Sequence, residues 1–168
     1  MKITKVQTIP IGNMRLVRVL TDEGIEGLGE VAYDCHAATV AFAIRNMPLV
    51  GRDPLCIESF WQDLYQDTFW RGGPIWMSAI SSVEQALWDI KGKALGVPVN
   101  HLVGGPLRDR VKVYTHFGDF GGDSPEEFAE SALEAVSFGY RAIKTDPFRT
   151  TSRSRPKTLD PGDLRMAV

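Results

Sequence analysis

Ile75-Trp76-Met77-Ser78-Ala79-Ile80-Ser81-Ser82-Val83-Glu84-Gln85-Ala86-Leu87-Trp88-Asp89-Ile90-Lys91-Gly92-Lys93-Ala94-Leu95 is the stretch that organises the rest of this chain. Its apolar positions Ile80, Val83, Leu87 and Ile90 recur three and four apart, which predicts one long helix with a single buried stripe. Gly96-Val97-Pro98 ends it, since glycine tolerates the left-handed closing conformation and proline cannot extend the helix. Upstream, Arg71-Gly72-Gly73-Pro74 separates it from a second helix carrying Ile57, Phe60, Trp61, Leu64, Tyr65 and Phe69 on one face. Asp53-Pro54 is expected to cap that helix and supply a first-turn proline. A third helix is predicted over 36–48, ended near Pro48.

Before these helices the period changes from helical to alternating. Residues 2–11 place Ile3, Val6 and Ile9 among Lys and Thr, as in a half-buried strand. Gly12-Asn13 suits a tight turn, 14–20 a second strand, Thr21-Asp22-Glu23-Gly24 another turn, and Gly27-Leu28-Gly29-Glu30-Val31 a glycine-rich third strand. Strands followed by helices define an α+β unit built on a three-stranded antiparallel meander.

Downstream, Val111-Lys112-Val113-Tyr114-Thr115 predicts a short strand. Ser124-Pro125-Glu126-Glu127 opens a helix with a cap, a first-turn proline and two acids at the positive end of the macrodipole, and Gly139 closes it. Arg141-Ala142-Ile143-Lys144-Thr145-Asp146 predicts the next strand. Strand, helix and strand at this spacing form one βαβ unit with parallel strands and a right-handed crossover. Residues 149–158 are basic and polar and read as loop or disorder. Asp160-Pro161-Gly162-Asp163 resembles a helix start close to Val168, so a truncation is expected there.

The bulk numbers narrow the classes. The chain has 168 residues, with 43% hydrophobic and 24% charged, an ordinary composition for a soluble globular protein. A net charge of -2 gives no electrostatic case for nucleic acid or an anionic membrane. No apolar run approaches the ~18 residues of a membrane helix, and the N-terminus lacks the apolar core of a signal peptide. The two cysteines, Cys35 and Cys56, form no metal-binding pair and fit free, buried thiols in a reducing cytoplasm.

Ser82 to Lys93, continued by Gly96-Val97-Pro98-Val99 and Leu102-Val103-Gly104-Gly105, resembles the signature that ends the capping domain in the mandelate racemase and muconate lactonizing enzyme group of the enolase superfamily. The opening Met1-Lys2-Ile3, Thr21-Asp22-Glu23-Gly24 with Gly27-Leu28-Gly29-Glu30, and Arg71-Gly72-Gly73-Pro74-Ile75 agree with it. The last is similar to galactonate- and mannonate-type acid-sugar dehydratases. The resemblance covers residues 1–148 nearly continuously. It implies a capping domain over 1–105, the start of a TIM-type (β/α) barrel over 106–148, and a polar tail over 149–168. For the intact protein it implies a lyase that uses Mg2+ to abstract the α-proton of a sugar acid and then eliminates water. It also implies a cytoplasmic homo-oligomer. Racemisation and cycloisomerisation share the first step and stay open as alternatives. So does a non-catalytic remnant or interaction module of the same origin, and, on the motifs least favoured, an unrelated small α+β binding protein. In the family the metal carboxylates lie on the third to fifth barrel strands. No metal ligand is therefore expected within this chain, no tight Mg2+ binding by it, and no turnover from it alone.

Lys144 and Asp146 are two apart on the second predicted barrel strand and share one face. In a barrel that face is the interior, and its C-terminal end is the mouth of the active site. The family often has Lys-x-Lys there. This chain has Lys144-Thr145-Asp146, so only the first lysine matches. Lys144 is either an electrostatic partner for substrate carboxylate, a base with lowered pKa, or an ordinary strand-end lysine. His116 follows the first barrel strand and is either a rim residue that binds hydroxyl or shuttles protons, or a plain loop histidine. Arg71 either grips a carboxylate bidentately or caps the preceding helix. Asn13, with Gly12, and the Cys35-His36 loop are candidates for closing over substrate. Glu84 and Asp89 are read as domain-interface or solvated residues, and Trp61, Trp70, Trp76 and Trp88 as core or subunit interface.

Overall fold

The computed structural model describes residues 1–12, 14–31, 36–66, 69–116 and 124–144. The chain divides into two compact units, Met1–Leu107 and Arg108–Val168.

In the first unit, β1 (Ile3–Ile11), β2 (Met14–Thr21) and β3 (Glu26–Val31) form an antiparallel sheet in the order β1-β2-β3. Short connections join consecutive strands. Ile11 faces Met14 across the first turn, where Gly12 takes a φ of 54°. The second turn is closed by Thr21, whose backbone N–H and Oγ1 both donate to the Ile25 carbonyl, at 3.1 and 2.6 Å. The helices α1 (Ala37–Arg45), α2 (Ile57–Gln66) and α3 (Pro74–Leu95) follow, then a one-turn helix α4 (Val99–Leu102). The core draws one face from each element: Ile3, Val17, Val19 and Val31 from the sheet, Val40 and Ile44 from α1, Phe60 and Leu64 from α2. The predicted stripe Ile80, Val83, Leu87 and Ile90 of α3 is buried at its centre. α3 ends on Gly96 in the left-handed conformation, φ 67°, as its sequence required.

α3 lies very close to β3. A Cβ built on Gly29 would lie 2.0 Å from the Ser82 carbonyl oxygen, and one on Gly27 2.0 Å from that of Ala86. Both glycines are buried. The helix backbone therefore rests directly on the strand backbone, and only hydrogen fits between them.

Several expectations are corrected. Phe69 does not extend the α2 face: α2 ends at Gln66 and Phe69 is 88% exposed. Asp53-Pro54 does not begin α2. Asp53 Oδ1 accepts the Leu55 N–H at 3.0 Å, which makes a separate turn before the helix starts at Ile57. Cys56 is exposed, not buried. Trp70 is 84% exposed and so is not a core residue of this chain, while Trp61, Trp76 and Trp88 pack against the core.

In the second unit, β4 (Thr115–His116) and β5 (Ile143–Lys144) pair in parallel and α5 (Pro125–Ser137) lies between them in sequence. Ser124 Oγ accepts the Glu127 N–H at 3.2 Å, so the predicted cap forms. Both strands begin later than predicted, at Thr115 and Ile143. Val111 to Tyr114 carry strand-like residues but no ladder partner among the described residues, and a strand exists only where a neighbour completes its hydrogen bonds.

Because the atoms that block a Cβ at Gly27 and Gly29 are backbone, the contact cannot be relieved by a rotamer change. Gly29→Ala and Gly27→Ala are each expected to destabilise the first unit by about 1–3 kcal/mol or more. The exposed Leu28→Ala should stay within about 0.5 kcal/mol. Urea unfolding curves distinguish these outcomes.

The Met1 ammonium sits 3.0 Å from Glu23 Oε1, and its hydrogen bond to that carboxylate, with the carboxylate's charge, raises its pKa above the usual ~8. A folded-state pKa above the unfolded one gives stability that is complete below about pH 8 and is lost as pH climbs through the folded value. Glu23→Gln is expected to return the amine toward its ordinary pKa in an NMR titration. An unchanged titration would refute the assignment.

Candidate functional site

The second unit gathers two of the sequence candidates. The Thr115 N–H donates to the Ala142 carbonyl at 3.2 Å, which sets the parallel register Thr115↔Ile143 and His116↔Lys144. Adjacent parallel residues in register share a face of the sheet, and successive residues of one strand alternate faces. Thr115 belongs to the α5 side: with Ser131, Glu134, Ala135, Phe138 and Tyr140 it lines a groove of about 420 Å³. His116 and Lys144 therefore belong to the opposite face, side by side and both exposed. In a barrel built from such units, helices cover the outside and the face away from them is the interior. An imidazole and an ammonium on neighbouring strand ends form a donor pair suited to a carboxylate, and the imidazole can also carry a proton.

The other candidates stand apart. Asp146 and Asn13 lie outside the described residues, as does Cys35 of the second loop. Arg71 is exposed in the first unit and makes no ion pair among the described residues. It does not cap α2, which ends five residues earlier. Gly72 and Gly73 both take a φ of 80°, and Gly73 leads into Pro74 at the first position of α3, so the Arg71 stretch is a sharply turned loop. Phe69 and Trp70 beside it meet edge to face, 5.1 Å between ring centres.

Sequence reasoning missed a second groove of about 430 Å³, on the first unit, lined by Glu30, Pro74, Met77, Ser78, Ser81, Ser82 and Gln85. The available signal was the run of small hydroxyl residues on one side of the α3 start. Among the described residues, no group of three or more His, Cys, Asp or Glu side chains could hold a metal. Nor is any helix among them long and apolar enough to cross a membrane.

These features sit in a family. The profile of the mandelate racemase / muconate lactonizing enzyme N-terminal domain matches residues 2–104, and the chain belongs to that family. Its first unit is the capping domain of the enolase superfamily. The chain is 45% identical over 147 residues to the D-galactonate dehydratase of Pectobacterium atrosepticum, a match covering 86% of this chain and 38% of that protein. A member of the enolase superfamily from Salmonella Typhimurium superposes with a TM-score of 0.84 at 37% identity, covering 98% of this chain and 48% of that one. An enolase from Pantoea ananatis with bound D-gluconate and Mg superposes with a TM-score of 0.76 at 36% identity, covering 86% of this chain and 36% of that one. The chain thus spans less than half the length of these relatives.

Proposed function

We propose that this chain is the N-terminal part of a Mg2+-dependent sugar-acid dehydratase. Its residues 1–105 act as the cap, and 106–148 supply the first strand, helix and strand of the catalytic barrel. The intact enzyme would be cytoplasmic and homo-oligomeric. The observation that carries the reading is the in-register pair His116↔Lys144, at the ends of adjacent parallel strands, in a chain 45% identical over 147 residues to a D-galactonate dehydratase. The substrate class follows from that relative's name and from the D-gluconate bound in the Pantoea ananatis structure.

The chemistry removes the proton α to a carboxylate, places its electron pair in an enediolate, and expels the β-hydroxyl as water after protonation. The resulting enol then ketonises. Such a carbon acid is weak, so the developing charge needs electrostatic partners. Lys144 supplies a positive charge on the proposed interior face. His116 beside it suits proton delivery to the departing hydroxyl or a hydrogen bond to substrate. The Mg2+ expectation rests on the metal in the Pantoea ananatis structure. The described residues do not form a site for it, so no residue of this chain is assigned as its ligand.

Grafting the matched stretch of this chain into the Pectobacterium atrosepticum enzyme is expected to give a chimera that converts D-galactonate to a keto acid. His116→Asn in that chimera should lower kcat by about 10²–10⁴-fold. A folded chimera that dehydrates no sugar acid would sink the proposal. The 168-residue chain by itself should show no turnover and no Mg2+ binding heat at micromolar metal. Tight binding there would show that the ligands had been assigned to the wrong segments.

A further inference from the structure

β3 is an outer strand of its sheet, and an outer strand offers a row of backbone donors and acceptors to any extended polypeptide. α3 occupies that side. The Leu28 N–H donates to Asp89 Oδ2 at 2.9 Å, and the Glu30 N–H donates to Gln85 Oε1 at 3.0 Å. Lys93 Nζ donates to the Glu26 carbonyl oxygen at 2.8 Å. Asp89, half-buried and read from the sequence as solvated or at a domain interface, therefore also holds the sheet edge. It is committed to the sheet.

The two elements have matching steps. Two residues of strand advance about 6.4–6.8 Å, and four residues of helix advance about 6 Å. Gln85, Asp89 and Lys93, each one turn apart, thus descend beside Glu30, Leu28 and Glu26 almost in step. Lys93 Nζ also donates to Asp89 Oδ2 at 2.7 Å, which joins two rungs. Short side chains such as Asp89 reach the strand because Gly27 and Gly29 let the helix backbone touch it.

The other outer strand is guarded differently. β1 contains Pro10, which has no N–H, and its start pairs with a loop through Ile3 N–H to Arg52 carbonyl and Gly51 N–H to Ile3 carbonyl. β3 is Glu26-Gly27-Leu28-Gly29-Glu30-Val31, without proline, and glycine-rich strands specify their pairing weakly.

We infer that α3 serves this sheet as a surrogate fourth strand, and that the Gln85–Asp89–Lys93 ladder denies the β3 edge to a second polypeptide. The test is amide hydrogen exchange by NMR, with sedimentation velocity, on the 168-residue chain. In the unmodified chain the Leu28 and Glu30 amides should exchange as slowly as the amides paired between β2 and β3. Asp89→Ala should speed exchange at Leu28 at least tenfold and spare Glu30, and Gln85→Ala should do the reverse. Asp89→Asn keeps an acceptor oxygen and should preserve protection. The double variant Gln85→Ala/Asp89→Ala should self-associate more than the unmodified chain, and adding Leu28→Pro, which cannot pair, should abolish the excess. Exchange at Leu28 and Glu30 in the unmodified chain as fast as in exposed amides overturns the inference, and needs no variant to fold. Excess association that survives Leu28→Pro, or none in a folded double variant, overturns it equally.

Discussion

The contact on which the first unit depends is backbone against backbone: the carbonyls of Ser82 and Ala86 lie where side-chain carbons would stand on Gly29 and Gly27. No apolar pair achieves this closeness. It fixes the height of α3 above the sheet, and the buried stripe Ile80, Val83, Leu87 and Ile90 then meets Val17, Val19 and Val31 in one core. Two glycines in one strand are costly for an isolated strand, because glycine loses the most freedom on ordering and contributes no side chain. The cost is offset by the helix that only glycine admits.

The second unit solves a different problem. Here a short parallel pairing sets which residues stand side by side, and alternation along the strand sets which side they take. Thr115 goes to the helix and its groove, and His116, one residue later, goes to the other face with Lys144. The proposed chemistry therefore rests on a parity rule more than on any packed pocket. Several of its apolar side chains remain in water: Val111, Val113, Leu133, Val136 and Phe138 are all exposed by more than half.

Much of this was legible in the residues. Period 2 followed by period 3.6 located β1 to β3 and α3, and the Ser124 cap and Gly139 closed α5 where expected. What failed has physical reasons. Phe69 matched the α2 stripe by spacing, but spacing alone cannot show that a helix has already ended. Val111 to Tyr114 had strand propensity without a neighbour to pair with among the described residues. The bond from β3 to Asp89 was missed because a charged helix residue is usually solvated; its spacing of four from both Gln85 and Lys93 was visible, but the strand it serves was not. His116 was expected just past its strand and Lys144 on its own; His116 lies within β4, and its alignment with Lys144 needed the register, which no single-strand pattern carries.

The asymmetry between the units bears on how the polypeptide comes off the ribosome. Met1–Leu107 holds every strand and helix its core requires, including the return of Gly51 and Arg52 to Ile3 near the start of the chain. Domains form in order as the chain emerges, so this part can consolidate while later codons are still being read. It would then be a finished scaffold before the second unit has been made.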